Sequence, residues 1–346
     1  MKIFDKANTT YAAKLPFVMY RKPNENSVSG FFMWDDSLNY STHFSESGFV
    51  FAPFNADEKA ILLPLEKSDF ITETLLLEEI SVDKNDFTAD ENSKEKHLET
   101  VAKAIYKIKN SDLKKVVISR KEAVVLNNFD VLQIFKKLLK SYKNAFVSIW
   151  FHPKVGLWLG ATPETLLQIE NKYFTTMSLA GTQVFEPKTA VIWKSKELEE
   201  QQLVTDFIEN QLVDISSNLK IDKTETIQAG NLLHLRTKVE GLLNKESNLK
   251  SLLRALHPTP AVCGLPRKMA KAFILENEHY NRSFYTGFLG ELNIQKKSSL
   301  FVNLRCMEIN NKTAFVYVGG GITKDSNALK EWEETVSKSK TMKKVL

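Results

Sequence analysis

Residues 285–319 read YTGFLGELNIQKKSSLFVNLRCMEINNKTAFVYVG. Three strand-like runs stand in this stretch, at 285–293, 299–307 and 313–319, and no helical period separates them. Further strands are expected at 116–118, continued by 123–125, and at 145–151, 156–161, 165–170, 173–179 and 232–240. Helices are expected near 93–110, from Asp130 onward, and near 195–215, 248–256, 267–277 and 327–343. The first would carry Leu98, Val101, Ile105 and Ile108 on one face; Asp130 opens a second with Val131, Ile134, Phe135, Leu138 and Leu139. Long strand runs, a few helices and no strict strand–helix alternation argue for an α+β fold with large, mostly antiparallel sheets packed with helices.

The totals suit that fold. The chain has 346 residues, 43% hydrophobic and 26% charged, enough for a sizeable core. Residues 81–97 are the most polar stretch, read as a surface loop leading into a helix and not as a boundary, so 1–346 is expected to form a single domain. Lys+Arg 47 against Asp+Glu 42 gives +5, too mild to suggest nucleic acid but suited to a small anionic substrate. Cys263 and Cys306 lie far apart, without metal spacing, and read as free buried thiols in a reducing compartment. The charged start lacks a signal-peptide core, and no run approaches 18 apolar residues, so a cytoplasmic protein without a membrane span is expected. A monomer is the default.

Several segments carry chemistry-bearing side chains. On the last helix, Glu331, Glu334 and Lys338 fall at i, i+3 and i+7 and share a face. They are either a solvated face with a salt bridge or a carboxylate pair for a hard cation beside a cation for a substrate carboxylate. The helix near 195 opens with Glu197, Glu199 and Glu200, which complement the helix dipole or, if Glu200 met Glu334 across a cleft, hold Mg²⁺. Glu164 follows Pro163 after a strand and either caps a local N–H or serves as a proton donor with a raised pKa. Lys115 opens a strand, where a lysine is usually solvated; buried, its amine becomes a base. Arg305 interrupts an apolar strand, sharing the face of Asn303 opposite Leu300, Val302, Leu304 and Cys306, and its fork suits a carboxylate. Gly319-Gly320-Gly321 is a flexible turn or a close backbone approach to an anion. His257 is read as structural or as a wall of the site. His43, His97, His152 and His234 receive no role.

In order, these segments resemble the chorismate-utilising enzymes. The matching pieces are Lys115-Val116-Val117-Ile118-Ser119-Arg120, Gly160-Ala161-Thr162-Pro163-Glu164, Leu179-Ala180-Gly181-Thr182, Lys196-Glu197-x-x-Glu200, the run from His257 to Gly264, Arg282 to Gly290, Leu304-Arg305-Cys306, Gly319-Gly320-Gly321-Ile322 and Glu331-Trp332-x-Glu334-Thr335-x-x-Lys338. They span roughly 110–342; residues 1–100 match poorly. The resemblance implies that Glu200 and Glu334 bind Mg²⁺, with Glu331 a further or water-mediated partner of the metal. It implies that Arg305 holds the enolpyruvyl carboxylate of chorismate. Lys338, with the backbone of Gly181, Thr182 and Gly320, would cradle the ring carboxylate.

Within this family a lysine where Lys115 stands goes with addition of water at ring carbon 2, whereas ammonia-using anthranilate synthases tend to carry glutamine. Ala180 stands where aminodeoxychorismate synthases place a nucleophilic lysine. The expected activity is therefore that of an isochorismate synthase, an isomerase in which Lys115 deprotonates water and Glu164 protonates the departing carbon-4 hydroxyl from the opposite side of the ring. A salicylate synthase is the nearest alternative, an anthranilate synthase component a further one, and a degenerate binding protein the non-enzymatic one. The motifs do not choose between menaquinone and siderophore biosynthesis. Gln201 replaces the histidine the family usually has after the metal glutamate, and Gln183 a frequent basic residue.

Overall fold

The computed structural model describes residues 2–75, 91–127, 129–186, 190–229 and 232–346. Alternation along the strands explains the architecture. In the strand Phe17–Arg21, Phe17 and Met19 turn one way, Val18 and Tyr20 the other; in Gly48–Ala52, Val50 and Ala52 oppose Phe49 and Phe51. Each strand thus has two apolar faces, as two packed sheets covered by helices require. Among the described residues one sheet has nine strands and the other ten, nine along its main path and Glu225–Ala229 off it. Every strand pairing among the described residues is antiparallel. The α+β expectation holds.

Aromatic side chains from both sheets fill the space between them. Tyr20, Phe31, Phe146, Trp150, Trp158 and Tyr317 of the nine-stranded sheet meet Phe49, Phe51, Leu289 and Phe301 of the other. Phe146 and Phe301 stack with ring centroids 4.2 Å apart. On the outer face of the nine-stranded sheet lie the helices Ile3–Ala12 and Val131–Ser141, together with Met342 and Val345. Asp130 caps the second helix, accepting from the Leu132 N–H at 2.8 Å. The helices Ser195–Leu212 and Leu249–Leu256 cover the outer face of the ten-stranded sheet through Val204, Ile208, Leu212, Leu252, Leu253 and Leu256.

Several expectations are corrected. The run 299–307 is two strands, Lys297–Val302 in one sheet and Cys306–Asn310 in the other. The chain crosses between sheets at 303–305, so alternation assigns Arg305 and Asn303 to no common face. The strand at 116–125 is continuous, Lys115–Val125, and those begun at 173 and 313 run on to Val184 and Ile322. Before residue 75, where the sequence pattern leads to no expected element, the described residues form an α-helix and six strands. The helix expected at Ser93–Asn110 spans Glu91–Lys109. Residues 81–90 of the polar loop lie outside the described residues. Both cysteines are free and buried, as expected.

Candidate active site

The strands that lead into the site are anchored from below. Arg282 and Glu278 are a buried pair, 2.6 Å apart. Arg282 also donates to the Val117 carbonyl (2.7 Å) and the Val262 carbonyl (2.9 Å), and Glu278 accepts from the Ser119 N–H (2.7 Å) and hydroxyl (2.9 Å). This fixes Lys115–Val125 beside the turns at 257–266 and 278–286. Lys115, the first residue of that strand, is 1% exposed, against the usual solvation of a strand-end lysine. Its Nζ donates to Glu200 Oε1 at 2.6 Å. Glu164 sits on the turn joining Gly156–Thr162 to Thr165–Glu170, which belong to different sheets. Burial pushes its carboxyl up to about 8 in spite of the opposing pull of the Lys115 charge, so it holds its proton at neutral pH.

The Ala328–Lys343 helix lies against the Thr313–Ile322 strand. Asn327 caps it, accepting from the Lys330 N–H at 3.1 Å. Arg120, 4.4 Å over the Trp332 ring, donates to Thr335 at 2.8 Å and fixes the helix's roll. Glu331 and Glu334 are thereby turned to the glycine run. Lys338 bonds Glu334 at 2.6 Å and the Gly319 carbonyl at 3.0 Å. Arg305 has a left-handed φ of +46°, a conformation a non-glycine residue adopts at some cost. Its backbone carbonyl accepts from the Ala161 N–H at 3.0 Å and its guanidinium donates to Thr341 at 3.2 Å.

Nine of the ten residues singled out above line one cavity: Lys115, Glu164, Gly181, Glu200, Arg305, Gly320, Glu331, Glu334 and Lys338. Thr182, the tenth, adjoins Gly181 in a bulge of the Tyr173–Val184 strand. Gly181 stands at φ +65°, where a glycine is at ease. His257 is buried against Phe288 and lies outside the cavity wall, so of its two readings the structural one applies. His234, given no role above, is a wall residue. Burial, with the charges of Arg305 and Lys338, lowers it to about 4. It is neutral, and its Nδ1–H donates to the Gly181 carbonyl at 3.1 Å. Sequence carries no local signal for it, because its place is set by pairing with Thr182 across the sheet. Glu197 also lines the cavity, but its carboxylate accepts from the Lys194 N–H at 3.0 Å and so closes the helix start. Gln201 is buried and donates to Ser178 Oγ (2.8 Å) and Thr237 (3.0 Å), a structural tie.

Carboxylate oxygens are donors that would suit a hard cation. A Cβ on Gly320 would lie 3.4 Å from Glu331 Oε2 and 3.9 Å from Glu334 Oε1, and one on Gly321 would lie 3.1 Å from Glu200 Oε1. Three carboxylates from two helices thus surround the side-chain-free backbone at 320–321. Among the described residues no three His, Cys, Asp or Glu side chains close on one point. A cation here would take part of its shell from water or ligand, as Mg²⁺ commonly does.

Residues 58–346 match the family model described as "Chorismate binding enzyme", and the chain belongs to that family. It is 32% identical over 208 residues to isochorismate synthase EntC of Escherichia coli K12, covering 57% of this chain and 53% of that protein. It is 26% identical over 337 residues to anthranilate synthase component 1 of Thermococcus kodakarensis, covering 94% and 75%. The match to EntC spans about half of that relative's length. The crystal structure of a 2,3-dihydroxybenzoate-specific isochorismate synthase, DhbC, from Bacillus anthracis shares the fold. Its TM-score is 0.81 at 23% identity, over 98% of both chains.

Proposed function

We propose that this chain is a magnesium-dependent isochorismate synthase, a monomeric cytoplasmic isomerase that interconverts chorismate and isochorismate. One observation carries the reading: a fully buried lysine amine and a carboxyl that keeps its proton at pH 7 share a cavity walled by carboxylates and cations. An amine and a protonated carboxyl in one cavity suit adding water at one carbon while the hydroxyl of another departs. No helix among the described residues is long and apolar enough to cross a membrane.

In the proposed reaction Lys115 removes a proton from water as the oxygen bonds to ring carbon 2. The two ring double bonds each shift by one position. The carbon-4 hydroxyl departs with the proton of Glu164, leaving as water. Electron density builds on the ring carboxylate as the oxygen adds, and Lys338 with the backbone N–H groups of Gly181, Thr182 and Gly320 would receive that charge. Arg305 would hold the enolpyruvyl carboxylate and so fix which ring carbon faces Lys115. His234, neutral, adds bulk and polarity without competing for the proton. Bound through Glu200 and Glu334, with Glu331 beside them, Mg²⁺ would supply further positive charge to the ring carboxylate.

The test is incubation with chorismate, with and without Mg²⁺ and ammonium, and separation of products by chromatography. Magnesium-dependent isochorismate is expected. Salicylate as the main product, detected by fluorescence, anthranilate formed with ammonium, or no turnover would each overturn the assignment.

A further inference from the structure

A second, wider cavity adjoins the first. The two share Pro163 and Arg305, and the outer one is about 800 Å³ against about 150 Å³ for the inner. Among the described residues its wall carries six cations, Lys140, Lys143, Arg236, Arg305, Lys340 and Lys344, and no Asp or Glu. They come from three separate parts of the chain besides Arg305: the end of the Val131–Ser141 helix, the Leu232–Leu243 strand and the last turn of the Ala328–Lys343 helix. Glu225 pairs with Arg236 at 2.7 Å and tempers its charge. Lys344 lies 4.5 Å over the Tyr142 ring, whose hydroxyl donates to the Thr341 carbonyl, and Thr341 in turn accepts from Arg305. The outer wall therefore leads directly to the inner arginine.

We propose that this outer cavity is an electrostatic vestibule that captures small dianionic carboxylates and passes them to Arg305 and the inner site. The inference rests on the proposed use of chorismate. A concave wall of one sign focuses field lines and raises the local concentration of an oppositely charged ligand, by 10-fold or more when several charges converge. A net charge of +5 spread over 346 residues could not do this; the clustering does.

The experiment compares the wild type with the double variant Lys143→Gln/Lys340→Gln, two exposed vestibule residues away from the Tyr142–Thr341–Arg305 chain. A control, Lys59→Gln/Lys109→Gln, carries the same charge change elsewhere. At low ionic strength kcat/KM for chorismate is expected to fall about fivefold in the vestibule variant with kcat unchanged, and to converge with the wild type near 0.5 M salt, where screening acts within about 5 Å. The control should follow the wild type. Equal kcat/KM in all three proteins at low salt, or a loss that persists at high salt, would overturn the vestibule. Fluorescence titration with isophthalate, an inert cyclic dianion, separates the two proposals. If chorismate is not turned over, the functional assignment fails, while a several-fold, salt-sensitive weakening of isophthalate binding in the vestibule variant alone still supports the capture role. Unchanged isophthalate binding refutes it.

Discussion

At the residue scale, environment sets the chemistry of Lys115 and Glu164. Truncating the amine in Lys115→Ala removes the proposed base and is expected to lower turnover about 10²–10⁴-fold with chorismate binding largely retained; steady-state kinetics with a binding titration checks it, and near-normal turnover refutes the role. Glu164 has its carboxyl pKa raised from 4.5 to about 8, so the folded protein holds a proton that the unfolded chain releases. Its contribution to stability is full below about pH 4.5 and is lost as pH rises through 8. Glu164→Gln cannot lose a proton. Relative to the wild type it should gain thermal stability from pH 5 to about 8 and level off above that, while turnover falls by about 10²-fold or more. A melting-temperature difference that stays constant across that range would contradict the buried, protonated carboxyl. Chorismate turnover by the wild type should itself decline above about pH 8, as the acid ionises.

At the element scale, the site depends on how strands and helices are tied. The Glu278–Arg282 pair joins Lys115–Val125 to the turn at 278–286 through three hydrogen bonds, to Val117 and Ser119, and holds Val262 through a fourth. Removing one partner leaves the other charge buried and unpaired, so Arg282→Met should cost about 3–5 kcal/mol of stability in denaturant unfolding; a loss under about 1 kcal/mol would show that the pair is not what anchors the strand. Periodicity located the helices after residue 90 well because their apolar stripes and the Asp130 cap are local signals. It joined 299–307 into one strand because nothing in the alternation marks a crossover between sheets. That crossover is held by long-range bonds, Asn303 to the Gly287 and Phe284 carbonyls and Arg305 to Ala161.

At the scale of the whole molecule, the proposed cation ligands come from opposite layers. Glu200 rides on a helix covering the ten-stranded sheet; Glu331 and Glu334 ride on one lying against the nine-stranded sheet. Glu334→Gln should weaken Mg²⁺ binding about tenfold or more by calorimetry, and an unchanged affinity would remove Glu334 from the proposed ligands. The stability of this arrangement is shared with the inter-sheet aromatic core, so the two layers are held in one relation before any ligand arrives.

The sequence by itself determined the class of fold and most of the elements after residue 110, because alternation, helical period and caps are written in neighbouring residues. It also held, in order, the residue types that resemble a chorismate enzyme. Tertiary structure decided which of them meet. It buried Lys115, raised the proton affinity of Glu164, turned Arg305 into a crossover between sheets and brought His234 to the wall. It also gathered four lysines and two arginines from distant segments around one mouth. Desolvation and cross-sheet pairing depend on contacts between residues far apart in the chain, and no local pattern encodes those distances.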